Sequence, residues 1–309
     1  MVKGTMKENL GTSNNNGLKG MLWAEALIVL QSVIYGFGDP ISKIAFEVVP
    51  VYSMMSIRYS IAFVVCLLLF GKRIVTTVRT AKVKTWLVPG LLIGMCYLLN
   101  NVALSMTDAT SVAFLRTMSV IITPVFAFAF FGKRIGIWQA AIILLVIPGL
   151  YLLCVKGGLS GFGAGEIVTL CAACCMAAAL VFISRYIESV DPVSMTALQA
   201  ACSAVLAIIG SFAFEGGVHV HVGSTKVWLI ILYLAILCTF LGYLLQNLAL
   251  TKISENTVAM LQTLCPVMTA FFSFILLGEK LSLYGIAGAV IIIICVICEN
   301  YLQNRQKSS

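Results

Sequence analysis

The stretch Tyr97–Leu98–Leu99–Asn100–Asn101 recurs as Tyr243–Leu244–Leu245–Gln246–Asn247, 146 positions farther along the chain. The same offset aligns Val112 with Val258, Leu115 with Leu261, Thr117 with Thr263, Thr123 with Thr269 and Gly132 with Gly278. Upstream, Ser42–Lys43 matches Ser184–Arg185 at an offset of 142, so the two copies differ by a small insertion. Similarity between two halves at a nearly fixed offset indicates an internal duplication.

The composition of the chain indicates that both copies lie in a membrane. Of 309 residues, 61% are hydrophobic and only 10% are charged, and the mean hydropathy is +1.04. Soluble domains carry about 25% charged residues. A soluble protein of this length could not cover so much apolar surface, so the lipid bilayer is the predicted solvent.

Ten apolar segments have about the length that a helix needs to cross the hydrocarbon core. They lie at Leu22–Ala45, Val51–Phe70, Trp86–Ser105, Ala109–Phe131, Ile135–Val155, Glu166–Tyr186, Pro192–Phe214, Val227–Leu250, Asn256–Leu277 and Leu281–Tyr301. No alternating pattern of a β-barrel occurs in them, and a helix satisfies its own backbone groups in lipid. The sequence therefore predicts an all-α membrane protein with ten transmembrane helices.

The basic residues predict how these spans are oriented. With both termini in the cytoplasm, fourteen of the twenty lysines and arginines lie on the cytoplasmic side, four lie outside, and Arg58 and Arg116 lie within spans. Five of the fourteen follow the second span: Lys72, Arg73, Arg79, Lys82 and Lys84. Cytoplasmic loops retain lysine and arginine. The placement of the basic residues beside the spans thus indicates a multi-pass protein of the cytoplasmic membrane. This placement also accounts for the net charge of +8, so no nucleic-acid partner is expected.

Five spans in each copy predict two inverted five-helix repeats, because an odd number of crossings turns the second copy upside down. We expect a basic cytoplasmic tail without order at residues 1–20, repeats at 21–158 and 163–302, and a cytoplasmic tail at 303–309. Many secondary transporters have this architecture, with the solute site between the repeats near the middle of the bilayer. A duplicated scaffold without a transport role is the alternative.

Several short motifs, in this order and spacing, resemble those of the drug/metabolite transporter superfamily and of its EamA-like family in particular. They are Gly36–Phe37–Gly38 followed by Pro50 and Arg58, Pro124 with Gly132–Lys133–Arg134, Ser184–Arg185–Tyr186 before Pro192, and Gly278–Glu279–Lys280. The resemblance extends over nearly the whole chain after the tail. It implies an exporter of metabolites or amino acids, with a central cavity and with peripheral fifth and tenth helices. A homodimer through these peripheral helices is a further expectation.

Three ionisable residues lie deep in the predicted spans, where a charge needs a partner or water. Asp39, Arg58 and Arg116 fall at one level in the outer third of the bilayer, given a rise of about 1.5 Å per residue. They form a structural bridge between helices or a substrate site. In the second case Asp39 neutralises one arginine, and the other binds a carboxylate through its fork of donors. Asp39 would then also bind the amine of an amino acid.

Uncharged polar residues extend the predicted substrate site along the spans. Tyr97 is expected to line the path, and Asn100 or its neighbour Asn101 is expected to face the cavity. In the repeat, Gln246 is the counterpart of Asn100, and Gln262 is the counterpart of Arg116. Gln246, Asn247 and Gln262 are expected to line an inner vestibule together with Gln199. Hydrogen bonds that hold neighbouring helices together are the alternative role, above all for Gln199.

Other classes of function find little support in the sequence. Intramembrane hydrolysis needs a Ser–His pair, two acids or a zinc helix, whereas the two histidines, His219 and His221, share one loop. That pair is more typical of a solvated loop than of a metal site. Without a phosphate-binding loop, no cofactor or ATP-driven pump is predicted. We expect a secondary transporter with a small-molecule substrate. A channel-like facilitator and an exporter of lipophilic cations are the alternatives. Proton-coupled and facilitated transport remain equally open.

Overall fold

A computed structural model describes residues 2–134, 136–154, 163–219, 224–278 and 283–308 of the chain. His221 and the Glu279–Lys280 part of the last motif lie outside these residues. Every regular element in the described ranges is helical. The prediction of an all-α protein is therefore confirmed for this part of the chain.

The first half of the chain contains six helices. They are α1 (Val2–Phe46), α2 (Val51–Thr80), α3 (Val83–Met106), α4 (Ala109–Arg116), α5 (Ser119–Phe131) and α6 (Ile137–Cys154). The second half continues with α7 (Ala164–Tyr186), α8 (Pro192–Phe214), α9 (Thr225–Tyr233), a π-helical segment (Leu234–Leu241), α10 (Gly242–Leu250), α11 (Glu255–Leu261), α12 (Leu264–Leu277) and α13 (Leu283–Ser308).

Eight helical stretches among the described residues are long and apolar enough to cross a membrane. They are Lys19–Phe46, Val51–Thr80, Val83–Met106, Ala109–Phe131, Ala164–Tyr186, Pro192–Phe214, Thr225–Leu250 and Glu255–Leu277. Each corresponds to one predicted span. The predicted fifth and tenth spans fall on α6 and α13, whose apolar cores, Ala140–Gly149 and Ile286–Cys295, are shorter.

The second span differs from its prediction at its end. Helix α2 does not stop at Phe70 but bends there, with φ −131° and ψ 19°, and continues to Thr80. Ile74 and Thr77 in this extension are buried, and Ile74 packs against Leu198 of α8. The predicted loop with five basic residues is therefore mostly helical, because the apolar contacts of the extension stabilise it. The positions of the charges at this end of the span are unaffected.

The first helix begins inside the predicted N-terminal tail. Helix α1 starts at Val2, whereas its membrane-spanning part starts at Lys19. The boundary of a disordered tail near residue 20 stays a prediction.

The helices pack mainly against partners from the other half of the chain. Helix α1 lies against α12 and α10, and in the same way α7 lies against α5 and α3. Helix α2 packs against α8, and α6 packs against α13. Gly36 lets α1 and α12 approach closely, because a Cβ there would collide with Met268. The buried polar residues Asp39, Asn100, Arg116 and Gln246 lie in the interior between α1, α3, α4 and α10.

A carboxylate just after the end of α8 caps the first turn of α2. The Glu215 side chain accepts hydrogen bonds from the backbone amides of Tyr52 and Ser53, both over 2.8 Å, and from the Ser53 hydroxyl over 2.7 Å. Free amides and the helix dipole make a helix N-terminus favourable for an anion. The His219 ring, predicted to lie in a loop, contacts the Glu215 carbonyl oxygen over 2.7 Å. This network joins α2 firmly to α8.

Candidate functional site

The predicted fourth and ninth spans are both interrupted, and the interruptions occur at positions that match in the sequence at the offset of 146 residues. Helix α4 ends at Arg116, and α11 ends just before Gln262. At each interruption a threonine hydroxyl donates to the carbonyl three residues earlier: Thr117 to Phe114 over 2.6 Å and Thr263 to Met260 over 2.7 Å. Such back-bonding competes with the helical pattern and bends helices. The two threonines therefore direct Arg116 and Gln262 into the bundle.

Arg116 is the centre of a buried polar cluster. One terminal nitrogen lies 3.0 Å from the Asp39 carboxylate on α1 and 3.1 Å from the Cys265 sulfur on α12, and the other donates to the Asn100 side chain over 3.1 Å. Asp39 also accepts a hydrogen bond from Thr269 over 3.3 Å. Four helical segments meet here, and Arg116 and Asp39 are only 6% and 8% exposed. Asp39 thus bridges to Arg116, one of the two pairings expected.

Arg58 lies at the same cavity but lacks an acidic partner. Its Nε donates to the Thr239 hydroxyl over 3.0 Å, and its guanidinium lies 5.0 Å from the centre of the Tyr59 ring. Among the described residues no carboxylate lies within 4.0 Å of it. Arg58 is 5% exposed, so its charge is buried, and the two contacts just given are to a hydroxyl and to an aromatic ring.

The π-helical segment explains how Thr239 reaches Arg58. The Thr239 hydroxyl donates to the carbonyl of Leu234, five residues earlier, over 2.9 Å. Its oxygen then accepts from Arg58. Short π-helical stretches occur often at functional sites, because they move side chains out of the regular helical pattern.

A small cavity joins the two arginines. Asp39, Arg58, Asn100 and Arg116 line it together with Tyr35, Gly38, Ser42, Tyr97, Asn101, Leu234 and Cys238. The centre of a water molecule can occupy about 20 Å³ of the cavity. Measured in the same way, a site for a single water molecule needs about 10–15 Å³. The cavity of this conformation therefore has room for a water molecule but is too small for a metabolite.

A second polar layer consists of three glutamines. Gln262 donates to Gln246 over 2.8 Å and to Gln31 over 3.0 Å, and Gln31 donates to the Gly242 carbonyl over 2.8 Å. Gln31 lies eight residues before Asp39 on α1, about 12 Å along the helix axis. Gln246 and Gln262, the repeat counterparts of Asn100 and Arg116, thus repeat the contact that Arg116 makes with Asn100.

Tyrosine rings lie between the two layers. Tyr97 and Tyr243, which are counterparts in the repeat, stack with ring centres 5.4 Å apart at 26°. Tyr35 packs edge-on against Tyr97 with centres 5.8 Å apart. The Tyr97 and Tyr243 hydroxyls have no hydrogen-bond partner among the described residues. Aromatic surface with a few polar tips therefore separates the arginines from the glutamines.

Asn247 lies apart from both layers. Its side-chain nitrogen donates to Thr196 and to Gln199 on α8, both over 2.9 Å. Asn247 and Gln199 are fully buried between α8 and α10. These hydrogen bonds hold two neighbouring helices together, which is the alternative role predicted above all for Gln199.

Ionic contacts lie at both ends of the fourth span. At its start Lys43 of α1 lies 3.7 Å from Asp108 and donates to the Thr107 carbonyl over 3.1 Å. Just after its end Lys133 contacts both oxygens of the Glu255 carboxylate, over 2.8 and 3.1 Å. Ser184 of α7 donates to the same carboxylate over 2.7 Å. The Lys43–Asp108 contact connects the first and fourth spans at one end of the cavity. The Lys133–Glu255 contact connects the two halves of the chain at the other end.

The sequence as a whole matches a known family twice. The model of the EamA-like transporter family matches residues 22–155 and again residues 163–300. The chain belongs to this family. The EamA-like transporters are part of the drug/metabolite transporter superfamily, so the resemblance seen in the motifs is confirmed.

Similar proteins support the same assignment. An uncharacterized transporter of Archaeoglobus fulgidus is 25% identical over 89% of this chain and 85% of its own. The uncharacterized transporter YoaV of Bacillus subtilis is 22% identical over 91% of this chain and 97% of its own. A crystal structure with 17% identity superimposes with a TM-score of 0.72 over 93% of this chain and 98% of that one, which shows the same fold. This EamA-like protein is a membrane transporter rather than an enzyme.

Residues of this transporter's polar interior that the sequence did not indicate include Gln31, Tyr35, Thr239 and Cys265. Gln31 could have been found, because it lies four residues before Tyr35 and eight before Asp39 on one face of α1. Thr239 and Cys265 carry no such signal, since small polar residues are common at helix contacts in membranes.

Proposed function

We propose that this transporter consists of ten spans arranged as two inverted repeats, with both termini in the cytoplasm. The family model matches the two halves separately. The pairs Arg116–Asn100 and Gln262–Gln246 make equivalent contacts, and the fourth and ninth spans are interrupted at equivalent residues. The distribution of lysine and arginine supports the orientation, in which the Lys133–Glu255 contact faces the cytoplasm.

We further propose that the protein exports a small polar metabolite that carries a carboxylate. One observation carries this proposal: Arg58 presents a buried guanidinium that no carboxylate of the described residues contacts, while Asp39 neutralises Arg116. An isolated buried charge is costly. A substrate carboxylate at Arg58 would remove this cost and gain charge-assisted hydrogen bonds.

An amino acid fits the remaining groups of the cavity. Asp39 uses Oδ2 for both Arg116 and Thr269, and its Oδ1 receives no hydrogen bond from the described residues. That oxygen is available to the ammonium group of a zwitterion. A lipophilic cation, by contrast, would meet two arginines and one carboxylate that is already paired.

The ionic contacts at both ends favour a carrier over a channel. The cavity lies between the Lys43–Asp108 and Lys133–Glu255 contacts, and it has room for water only. A substrate can enter this site only after one end opens. Opening of one end at a time is alternating access, which interrupted helices near the middle of the bilayer support in other transporters.

Binding to purified protein tests the site directly. In a thermal-shift panel of amino acids, other carboxylates, sugars, nucleobases and lipophilic cations, we expect stabilisation by carboxylates. Arg58→Gln should abolish that shift, whereas Arg79→Gln, which removes an exposed arginine of α2, should leave it unchanged. Stabilisation only by lipophilic cations, or an undiminished carboxylate shift in Arg58→Gln, would refute the proposal.

A further inference from the structure

A wide groove opens on the outer surface between α5 and α6. Its volume is about 730 Å³, within the range of about 300–1,000 Å³ that is usual for small-molecule sites. The groove exists because the turn Gly132–Lys133–Arg134 carries the chain away from α5, after which α6 packs against α13. Gly132 adopts φ 65°, which allows the sharp turn at the end of α5.

The walls of the groove are apolar and face away from the bundle. Val125 and Phe128 of α5 form one wall, and Ala140 and Leu144 of α6 form the other. Phe128 is 59% exposed and Leu144 is 65% exposed. Both helices belong to apolar segments of the membrane domain, so the open side of the groove faces the acyl chains of lipids.

Two basic residues close one end of the groove. Lys133 and Arg134 line it beside the apolar walls. Lys133 shares its charge with Glu255, whereas Arg134 is exposed and makes no ion pair or hydrogen bond with the described residues. This end of the groove therefore has a positive charge that Glu255 compensates only in part. It lies at the level where the span leaves the hydrocarbon core.

We propose that this groove binds a phospholipid with an anionic headgroup. The lipid phosphate would contact Arg134 and the free side of Lys133, and an acyl chain would lie along Val125, Phe128 and Leu144. Basic pockets between transmembrane helices on the cytoplasmic side bind such headgroups. A free phosphate would leave the apolar walls unused. The orientation proposed above assigns the site to the cytoplasmic leaflet.

Lys133 connects the lipid site to the transport pathway. The same ammonium group bridges to Glu255, which also accepts from Ser184 of α7. A phosphate on the free side of Lys133 draws part of this charge away from Glu255, so binding of an anionic lipid weakens the closure of that end of the cavity.

Quenching by brominated lipids tests the site in membranes. Phe128→Trp places a fluorescent reporter in the groove, and Leu68→Trp places a matched reporter on the lipid-facing side of α2, where Leu68 is 79% exposed. The protein is reconstituted in vesicles with phosphatidylglycerol or phosphatidylcholine brominated on the acyl chains. The signal of the unsubstituted protein, which contains four tryptophans, is subtracted.

We expect brominated phosphatidylglycerol to be selected several-fold over phosphatidylcholine at Phe128→Trp but not at Leu68→Trp. Adding Arg134→Gln should reduce the selectivity about five-fold, as for one basic residue near a membrane surface, whereas Arg79→Gln should not change it. Equal quenching by both lipids at Phe128→Trp would overturn the proposal. Protection of that reporter from both lipids, together with a cross-linked dimer, would assign the groove to a second copy and also overturn it.

Discussion

The Arg116 guanidinium lies 3.0 Å from the Asp39 carboxylate, whereas Arg58 at the same cavity contacts Thr239 and Tyr59. Two arginines at one depth thus have different surroundings. One belongs to a neutral pair that joins α1 to α4, and the other retains an uncompensated charge. This difference separates a structural role from a binding role, and mutations can measure each of them.

Loss of one partner of the Asp39–Arg116 pair should destabilise the protein strongly. Asp39→Asn leaves a second buried guanidinium without an acid, and removing one partner of a buried ion pair costs about 3–5 kcal/mol. We expect a lower Tm in detergent for Asp39→Asn and for Arg116→Gln. The double variant Asp39→Asn/Arg116→Gln should regain much of the Tm, because no charge is left unpaired. A double variant as unstable as the singles would contradict this account.

Gln246 and Asn247 should respond differently to the same substitution. Asn247→Leu leaves the buried Gln199 side chain without its partner and removes the hydrogen bond to Thr196, so we expect a loss of stability of about 1–3 kcal/mol with unchanged substrate affinity. Gln246→Leu alters the glutamine layer and should impair transport more than it lowers Tm. The measurements are Tm and initial transport rates in proteoliposomes, normalised to folded protein. Equal effects of the two variants on both quantities would contradict the distinction.

Breaking the Lys133–Glu255 contact should expose the cavity from the proposed cytoplasmic side. The readout is the reaction of Cys238, which lines the cavity, with a membrane-impermeant maleimide, quantified by mass spectrometry. For Lys133→Gln we expect labelling from that side to rise about two- to five-fold, as for a partly exposed ion pair. The swap Lys133→Glu/Glu255→Lys should restore the low rate, and Lys252→Gln serves as the control. An unchanged rate in Lys133→Gln would show that this contact does not close the end.

Gly242 should tolerate no side chain. A Cβ at this position would lie 2.6 Å from the Tyr35 ring, so Gly242→Ala must displace the tyrosine that lies between the arginine and glutamine layers. We expect a loss of about 1–3 kcal/mol and reduced transport. Gly20→Ala is the matched control, because no atom lies within 4 Å of its Cβ. A Tm of Gly242→Ala equal to that of the control would contradict the close contact.

The spans could be predicted because lipid imposes length and hydrophobicity on every helix. Eight of them lie where the sequence indicates. The interruption after Arg116 could not be predicted, since Thr117 resembles any threonine in a helix. The extension of α2 beyond Phe70 depends on the burial of Ile74 against α8, a contact between distant parts of the chain.

The arginine cluster could be predicted because buried charges are rare and their depths can be counted along a helix. The sequence left open which arginine pairs with Asp39. That choice depends on how α1, α3 and α4 are rotated against each other. The environment of Arg58 depends on the π-helical segment, which regular helical geometry does not anticipate.

The hydrogen bond from Arg58 to Thr239 has a consequence for biosynthesis. The ribosome adds Thr239 181 residues after Arg58, so α2 enters the membrane long before the acceptor of its guanidinium exists. At about 5–20 residues per second, this interval lasts on the order of ten seconds or more. During that time water, lipid headgroups or the insertion machinery must solvate Arg58. The pace of translation through the second half therefore influences how much of the protein reaches its folded form.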